Sequence, residues 1–105
     1  MKINVLQVLK NFQGKVIQNE KDVDLTLRAI FTNGLLTTTK RSQQESGELK
    51  YARYQLANLI NTEDEPEITS NELKQLRVYI GEVYSAVVVG AAWDFIDKLT
   101  KDIQK

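Results

Sequence analysis

The residues best suited to chemistry in this chain are carboxylates, and their densest group is Glu63-Asp64-Glu65-Pro66-Glu67. Carboxylate oxygens are the ligands that a hard cation such as calcium prefers. The stretch lacks the alternating Asp or Asn ligands and the central glycine of a calcium-binding loop. The pattern therefore favours a solvated acidic loop in front of a helix, and we expect neither a metal site nor a cofactor.

Pairs of carboxylates can also carry out general acid–base catalysis, and the candidates here are Asp94 with Asp97 and Glu72 with Glu82. Nothing in the sequence places either pair in a pocket, so solvated helix faces are the simpler interpretation. The chain has no histidine and no cysteine. Catalysis by imidazole or thiolate is therefore excluded within one chain, and the usual ligands of zinc and copper are missing. We expect a protein that is not an enzyme and has no catalytic residue.

Nucleic-acid binding is disfavoured by the charge balance. The chain carries 14 basic and 14 acidic residues, so its formal net charge is zero, whereas nucleic-acid binders usually have a basic excess. Lys40-Arg41 is too short a basic cluster to indicate DNA or RNA binding. Gly14 and Gly47 are isolated, so no glycine-rich loop is present to cradle a phosphate. A small DNA- or RNA-binding regulator is therefore retained only as an alternative function.

The aromatic residues offer a different kind of chemistry, which is recognition. The four tyrosines of the chain, Tyr51, Tyr54, Tyr79 and Tyr84, fall on or beside the apolar faces of predicted helices. Tyrosine is enriched in interface hot spots because it buries a large apolar area while keeping a polar tip. The alternative is that these side chains close the edge of a small core. We take all four as the candidate partner-binding residues.

The stretch from Ile68 to Leu99 predicts two consecutive helices that supply most of the core. Thr69 and Glu72 have the spacing of a capping box at the start of the first helix, and a break is expected near Tyr84-Ser85. Ala86 to Trp93 carries no charge, which predicts burial on most sides and a central position for this helix. These eight residues are too few to cross a membrane, because a spanning helix needs about 20.

Two further helices are predicted upstream. Thr26 is the expected N-cap of the first, which continues through Asn33-Gly34 because the apolar residues keep helical spacing there. Lys40 to Gly47 is predicted to be a polar loop. Ser46 then caps a helix that runs to about Asn61. The residues of this helix expected to face the core are Leu49, Ala52, Leu56, Leu59 and Ile60.

Residues 1–22 are ambiguous, since their apolar residues fit either a short helix or a strand. A turn at Gly14 would make them a small β-hairpin, and otherwise they form an N-terminal arm. The 105 residues, of which 42% are hydrophobic, suit one domain with one core. We therefore predict a mainly α fold: a compact bundle of about four helices in a single domain, 1–105. Its helical core is at 23–105, with or without the short N-terminal hairpin.

Several short motifs occur in an order that resembles small proteins encoded in tailed bacteriophages and prophages. In those proteins the corresponding patterns are LTL, RYxLAxxI, LTxEE and VGxAW. The resemblance covers about residues 24–97, and it implies a viral setting without implying an activity or any site residue. The matching segments here run from Asp24 to Leu27, from Lys50 to Ala57, from Ile68 to Leu73 and from Tyr84 to Trp93.

Together these observations predict a non-enzymatic, phage-type accessory protein that acts through protein–protein interaction. Its partner would be a host or viral protein, or a second copy of the chain. A virion or assembly component is a further alternative. Met1-Lys2-Ile3-Asn4 lacks the long apolar run of a signal peptide. We therefore expect a cytoplasmic location, in the host cell if the chain is phage-encoded, and no membrane partner.

Overall fold

Five helices account for most of the architecture seen in a computed structural model, which describes residues 1–19 and 21–103, with side chains up to residue 99. The prediction of a mainly α fold is confirmed. The predicted number of helices, about four, is too low because an additional short helix lies between the two upstream helices. The five are α1 (Leu27–Leu36), α2 (Lys40–Gln43), α3 (Gly47–Thr62), α4 (Ser70–Val83) and α5 (Ala86–Ile103).

The starts of three helices are set by hydroxyl caps that the sequence predicted. The Thr26 hydroxyl accepts a hydrogen bond from the Ala29 backbone N–H, and Ser46 caps α3 in the same way. At α4, the Glu72 backbone N–H donates to the Thr69 hydroxyl at 3.1 Å, and the Thr69 N–H donates to the Glu72 carboxylate at 2.9 Å. Each cap satisfies backbone donors that the first turn leaves without a helical partner.

Helix α2 corrects the prediction that Lys40 to Gly47 is a loop. The Ser42 N–H donates to the Thr39 hydroxyl at 3.1 Å, and the Thr39 N–H donates to the Ser42 hydroxyl at 2.7 Å. This is a capping box in which serine replaces the usual Glu or Gln at the third helical position. Because the polar side chains satisfy the backbone locally, a single helical turn forms in a stretch that has almost no apolar residues.

The centre of the core is α1, and this corrects the prediction that Ala86 to Trp93 occupies it. Helix α1 packs against both α3 and α4, whereas α5 packs mainly against α4. Ile30 and Phe31 of α1 are completely buried, while Val87 of α5 is 47% exposed. A helix at the edge of a bundle buries only one face, even along a stretch without charged residues. In α5 that face consists of Val88, Ala92 and Ile96.

The buried face of α3 is also rotated from the one predicted. Leu49 and Ala52 were expected in the core, but both are exposed, and Leu59 is only partly buried. Leu56 and Ile60 are buried as expected. The remaining buried residues of this face are Arg53 and Ala57, so the rotation follows from the burial of an arginine.

Of the two alternatives for the N-terminal residues, the hairpin is not observed, since no strand occurs between residues 1 and 19 or in the rest of the described chain. Three extended segments instead make single antiparallel bridges with one another. The Leu9 N–H donates to the Leu25 carbonyl, the Leu25 N–H to the Ile17 carbonyl, and the Ile17 N–H to the Leu9 carbonyl. Each pair of segments shares only one bridge, so no two-stranded ladder forms.

The first residues of the chain pair with the connector between α3 and α4. The Ile3 N–H donates to the Pro66 carbonyl, and the Ile68 N–H donates to the Met1 carbonyl. Ile3 and Val5 are buried in the same apolar cluster as the helices. In the described part of the chain, no helix combines the length and the hydropathy that crossing a membrane requires.

Candidate protein-interaction surface

The side of α3 that faces away from the core carries a regular stripe of uncharged residues. Its members recur at intervals of four, three, four and three residues, which places them along one side of a helix. All of them are exposed to solvent. The stripe consists of Gly47, Tyr51, Tyr54, Asn58 and Asn61.

Two of the predicted partner-binding residues form one unit on this stripe. The rings of Tyr51 and Tyr54 are stacked, with their centroids 6.3 Å apart and an angle of 14° between their planes. The spacing of three residues brings the two side chains together on the helix surface. Tyr51 is 61% exposed and Tyr54 is 59% exposed, so the pair presents a large aromatic area to solvent.

Helix α1 continues this surface on one side of Tyr54. Leu36, near the end of α1, is 58% exposed, and the sequence analysis did not single it out. A shallow groove of about 310 Å³ runs along the surface where the two helices meet. We call the combined surface the α1–α3 face. It comprises Thr32, Leu36, Tyr51, Tyr54, Asn58 and Asn61.

The α1–α3 face lacks charge because both helices lack exposed charges over long stretches. No charged residue occurs between Arg28 and Lys40, or between Arg53 and Glu63. Arg53 is buried, and Arg28 is held at the edge of the face by a 2.8 Å ion pair with Asp64. Depletion of charge together with exposed aromatic residues is the composition that distinguishes interface cores from the remaining protein surface.

Tyr79 and Tyr84, the other two predicted partner-binding residues, lie elsewhere. Tyr79 is 7% exposed, and burial raises the pKa of its hydroxyl. Tyr84 is half-buried, and among the described residues its buried hydroxyl has no hydrogen-bond partner. Burial raises the pKa of the Tyr84 hydroxyl. The nearby Asn33 side chain partly offsets this rise, although the two groups do not form a hydrogen bond. The four tyrosines therefore do not share one exposed surface, and only Tyr51 and Tyr54 are placed to meet a partner.

Arg53 is the residue that sequence reasoning missed on the inner side of α3. Its Nε donates to the Leu35 carbonyl at 2.9 Å and its Nη2 to the Gly34 carbonyl at 3.1 Å, so it satisfies carbonyls at the end of α1. Its Nη1 also pairs with Glu45 at 2.5 Å. The spacing of Arg53 with Leu56 and Ile60 is the signal that could have placed it on the buried face.

Trp93, at the end of the uncharged stretch of α5, has an intramolecular role. Its indole Nε1 donates to the Arg77 carbonyl at 2.8 Å. The Arg77 guanidinium carbon lies 3.7 Å from the ring centroid, and the Arg77 side chain also pairs with Asp97. The ring rests against Gly81, where an added Cβ would be 2.9 Å from the Trp93 Cζ2 atom. Trp93 therefore joins α4 to α5.

Phe12 is a second exposed apolar residue that sequence reasoning did not single out. It occupies the turn before Gly14 and is 89% exposed. Together with Val87 and Gly90 of α5 it lines a separate shallow groove. A large apolar residue in a turn is the signal that could have identified it. This spot is not part of the α1–α3 face, so it serves below as a reference position.

Several of the candidate carboxylates are engaged in structural contacts. Asp64 pairs with Arg28, and Glu67 contacts the amino group of Met1. The hydrogen bond from this amino group and its charge hold the pKa of the Glu67 carboxyl below its ordinary value. Glu82 pairs with Arg41 at 2.8 Å. Across the described residues, no group of three or more acidic side chains is arranged to hold a metal ion.

Comparison of the sequence with protein-family models and curated proteins, and of the structure with solved structures, found no match.

Proposed function

We propose that this chain is a non-enzymatic protein-interaction module that binds a protein partner through the α1–α3 face. The observation that carries the proposal is the composition of this surface. Although 27% of the residues in the chain are charged, the face combines two stacked, exposed tyrosines with an exposed leucine and uncharged polar groups.

The arrangement of the tyrosines favours binding for a second reason. Ordering a flexible side chain at an interface costs about 0.5–1.5 kcal/mol. Tyr51 and Tyr54 are already stacked on a helix, so less freedom is lost when a partner covers them. Asn58 and Asn61 offer both donors and acceptors beside the rings. The surface is therefore suited to an uncharged partner surface with apolar area and backbone or amide polar groups.

The ordered motifs from Asp24 to Trp93 support a phage or prophage setting for this module. We therefore propose a small accessory protein that binds or modulates another protein in an infected or lysogenic cell. The proposed phage setting depends on the motif resemblance alone. The proposed interaction surface depends on the exposed residues of α1 and α3, so each proposal can fail without the other.

Site-specific photo-cross-linking in cells that produce the full-length chain tests the proposal. A photoreactive phenylalanine analogue replaces Tyr54 in one variant and Val78, an exposed residue of α4, in the control variant. We expect a discrete protein adduct from position 54 that the control does not give. Its mass and peptides identify the occupant. Equal adduct patterns at both positions, or no adduct at position 54, would overturn the proposal.

A further inference from the structure

The spacing of the exposed stripe on α3 determines the kind of surface that fits it. Intervals of four and three residues are those of a coiled-coil seam, which packs lengthwise against a second helix. The inner side of α3 already packs on α1, so the outer stripe is a second helix-packing face. The geometry therefore favours a second α-helix, packed lengthwise along the stripe, as the occupant.

The order of residues along the stripe makes it complementary to itself. Its first half carries Tyr51 and Tyr54, and its second half carries Asn58 and Asn61. When two copies of α3 run antiparallel, the aromatic half of each lies against the amide half of the other. A tyrosine hydroxyl can donate to an asparagine carbonyl, and the asparagine amide can donate in return.

The charges also agree with this pairing. In a two-fold symmetric dimer, residues near the axis meet their own copies, so a charged residue there would face a like charge. The centre of the stripe has none. At its ends, antiparallel packing brings the exposed Lys50 of one copy to the end of α3 where Glu63 and Asp64 of the other copy lie. The zero net charge of the chain adds no overall repulsion.

We propose, building on the function proposed above, that the α1–α3 face binds a second copy of this chain in an antiparallel dimer centred between Tyr54 and Asn58. Tyr51 of each copy then lies opposite Asn61 of the other, and Tyr54 lies opposite Asn58. Leu36 flanks the paired helices and covers part of the aromatic area.

Disulfide cross-linking tests the direction and register of the pairing, because the chain has no cysteine of its own. Full-length Tyr51→Cys and Asn61→Cys variants are mixed in equal amounts and oxidised. A disulfide needs its Cα atoms within about 7 Å, whereas two copies of position 51 in this dimer are separated by about 15 Å along the axis. We expect the mixed disulfide to form in preference to either symmetric one. A dominant link between two copies of position 51 would overturn the antiparallel arrangement, and Val78→Cys serves as the unlinked control.

Sedimentation equilibrium tests the dimer itself. We expect the wild-type chain to reach twice its 12.0 kDa mass, and Tyr54→Glu to weaken association at least tenfold because two like charges meet near the axis. Adding Asn58→Lys to Tyr54→Glu should restore association, and Phe12→Glu should leave it unchanged. Circular dichroism confirms that each variant is folded.

A wild-type chain that stays monomeric up to about 1 mM overturns the dimer. The function proposed above is tested separately, since an adduct at position 54 with a different protein would uphold the interaction surface while excluding a second copy as its occupant.

Discussion

The guanidinium carbon of Arg53 lies 4.0 Å from the centroid of the Tyr79 ring. This contact joins α3 to α4, and the same guanidinium holds the end of α1 through the carbonyls of Gly34 and Leu35. The inner side of α3 is therefore fully used by the fold. Its outer side, with Tyr51 and Tyr54, makes no comparable contribution and is available for a partner.

Replacing Arg53 with methionine should destabilise the fold by about 3–5 kcal/mol, the range found when one member of a buried ion pair is removed. The change leaves Glu45 without its cation, and the second oxygen of that carboxylate already has no partner among the described residues. Urea denaturation monitored by circular dichroism measures the effect.

The matched control for Arg53 is Arg41→Met. Arg41 also pairs with a carboxylate, but its side chain is 67% exposed, and exposed pairs contribute about 1 kcal/mol or less. Equal losses in the two variants would show that the burial of Arg53 is not what makes it important.

Gly81→Ala should destabilise the protein by up to about 2 kcal/mol, because overpacking costs about 1–3 kcal/mol and the helix preference for alanine over glycine offsets about 1 kcal/mol of it. The new Cβ would stand 2.9 Å from the Trp93 Cζ2 atom, so the indole must move and weaken its hydrogen bond to the Arg77 carbonyl. Urea denaturation measures the stability, and the emission spectrum of Trp93, which is the chain's only tryptophan, reports the displacement of the ring.

Gly90→Ala provides the control for glycine replacement in a helix. A Cβ at Gly90 would meet no described atom within 4 Å, so only the helix preference for alanine over glycine remains, which is worth about 1 kcal/mol. We expect a stabilised variant with unchanged Trp93 emission. A loss of stability in Gly90→Ala would contradict the open space beside this residue.

Alkaline pH should destabilise the fold in part through Tyr84. Burial raises its pKa above the ordinary value of 10.0, so the folded state binds this proton more tightly than the unfolded state does. The resulting contribution to stability is complete below the ordinary pKa and is lost as the pH rises through the folded pKa. Tyr84→Phe should therefore lose less stability than the wild type between about pH 9 and pH 11, as measured by urea denaturation at each pH.

The exposed Tyr51→Phe variant is the reference for this pH series and should follow the wild type. A parallel decline of Tyr84→Phe and wild type would assign the alkaline sensitivity to other groups, of which the buried Tyr79 is the first to examine.

Replacing the exposed tyrosines should separate binding from folding. Tyr54→Glu should change the free energy of unfolding by about 0.5 kcal/mol or less, because surface substitutions away from packed contacts have small effects. Its association with a partner should fall sharply, as measured by sedimentation for a second copy or, for another protein, by co-purification of the partner that the adduct at position 54 identifies. A large loss of stability would show instead that the stacked pair supports the fold.

The helix starts could be predicted from the sequence because their determinants are local. Thr26, Ser46 and Thr69 each act on a backbone group three residues away, and the break between α4 and α5 lies in the same short stretch that predicted it. Helix α2 was missed because serine takes the role usually filled by Glu or Gln, a substitution that the standard capping pattern does not include.

The placement of α5 and the rotation of α3 could not be predicted because they depend on contacts between distant residues. An uncharged stretch such as Ala86 to Trp93 has the same composition whether it lies at the centre or at the edge. Arg53 is buried because carbonyls of Gly34 and Leu35 and the carboxylate of Glu45 surround it, none of which is adjacent on its helix. The candidate surface was predicted in part, since Tyr51 and Tyr54 were named but the roles of Leu36, Asn58 and Asn61 were not.

Hydroxyl-radical footprinting of the chain in the cells that produce it tests the central claim most directly, because it measures whether the α1–α3 face is covered. Oxidation of each aromatic side chain in the cell is compared with that in the dilute purified protein, and the exposed Phe12 is the internal reference. We predict that Tyr51 and Tyr54 are strongly protected in the cell while Phe12 is not. Equal oxidation of the two tyrosines in both conditions would contradict the account.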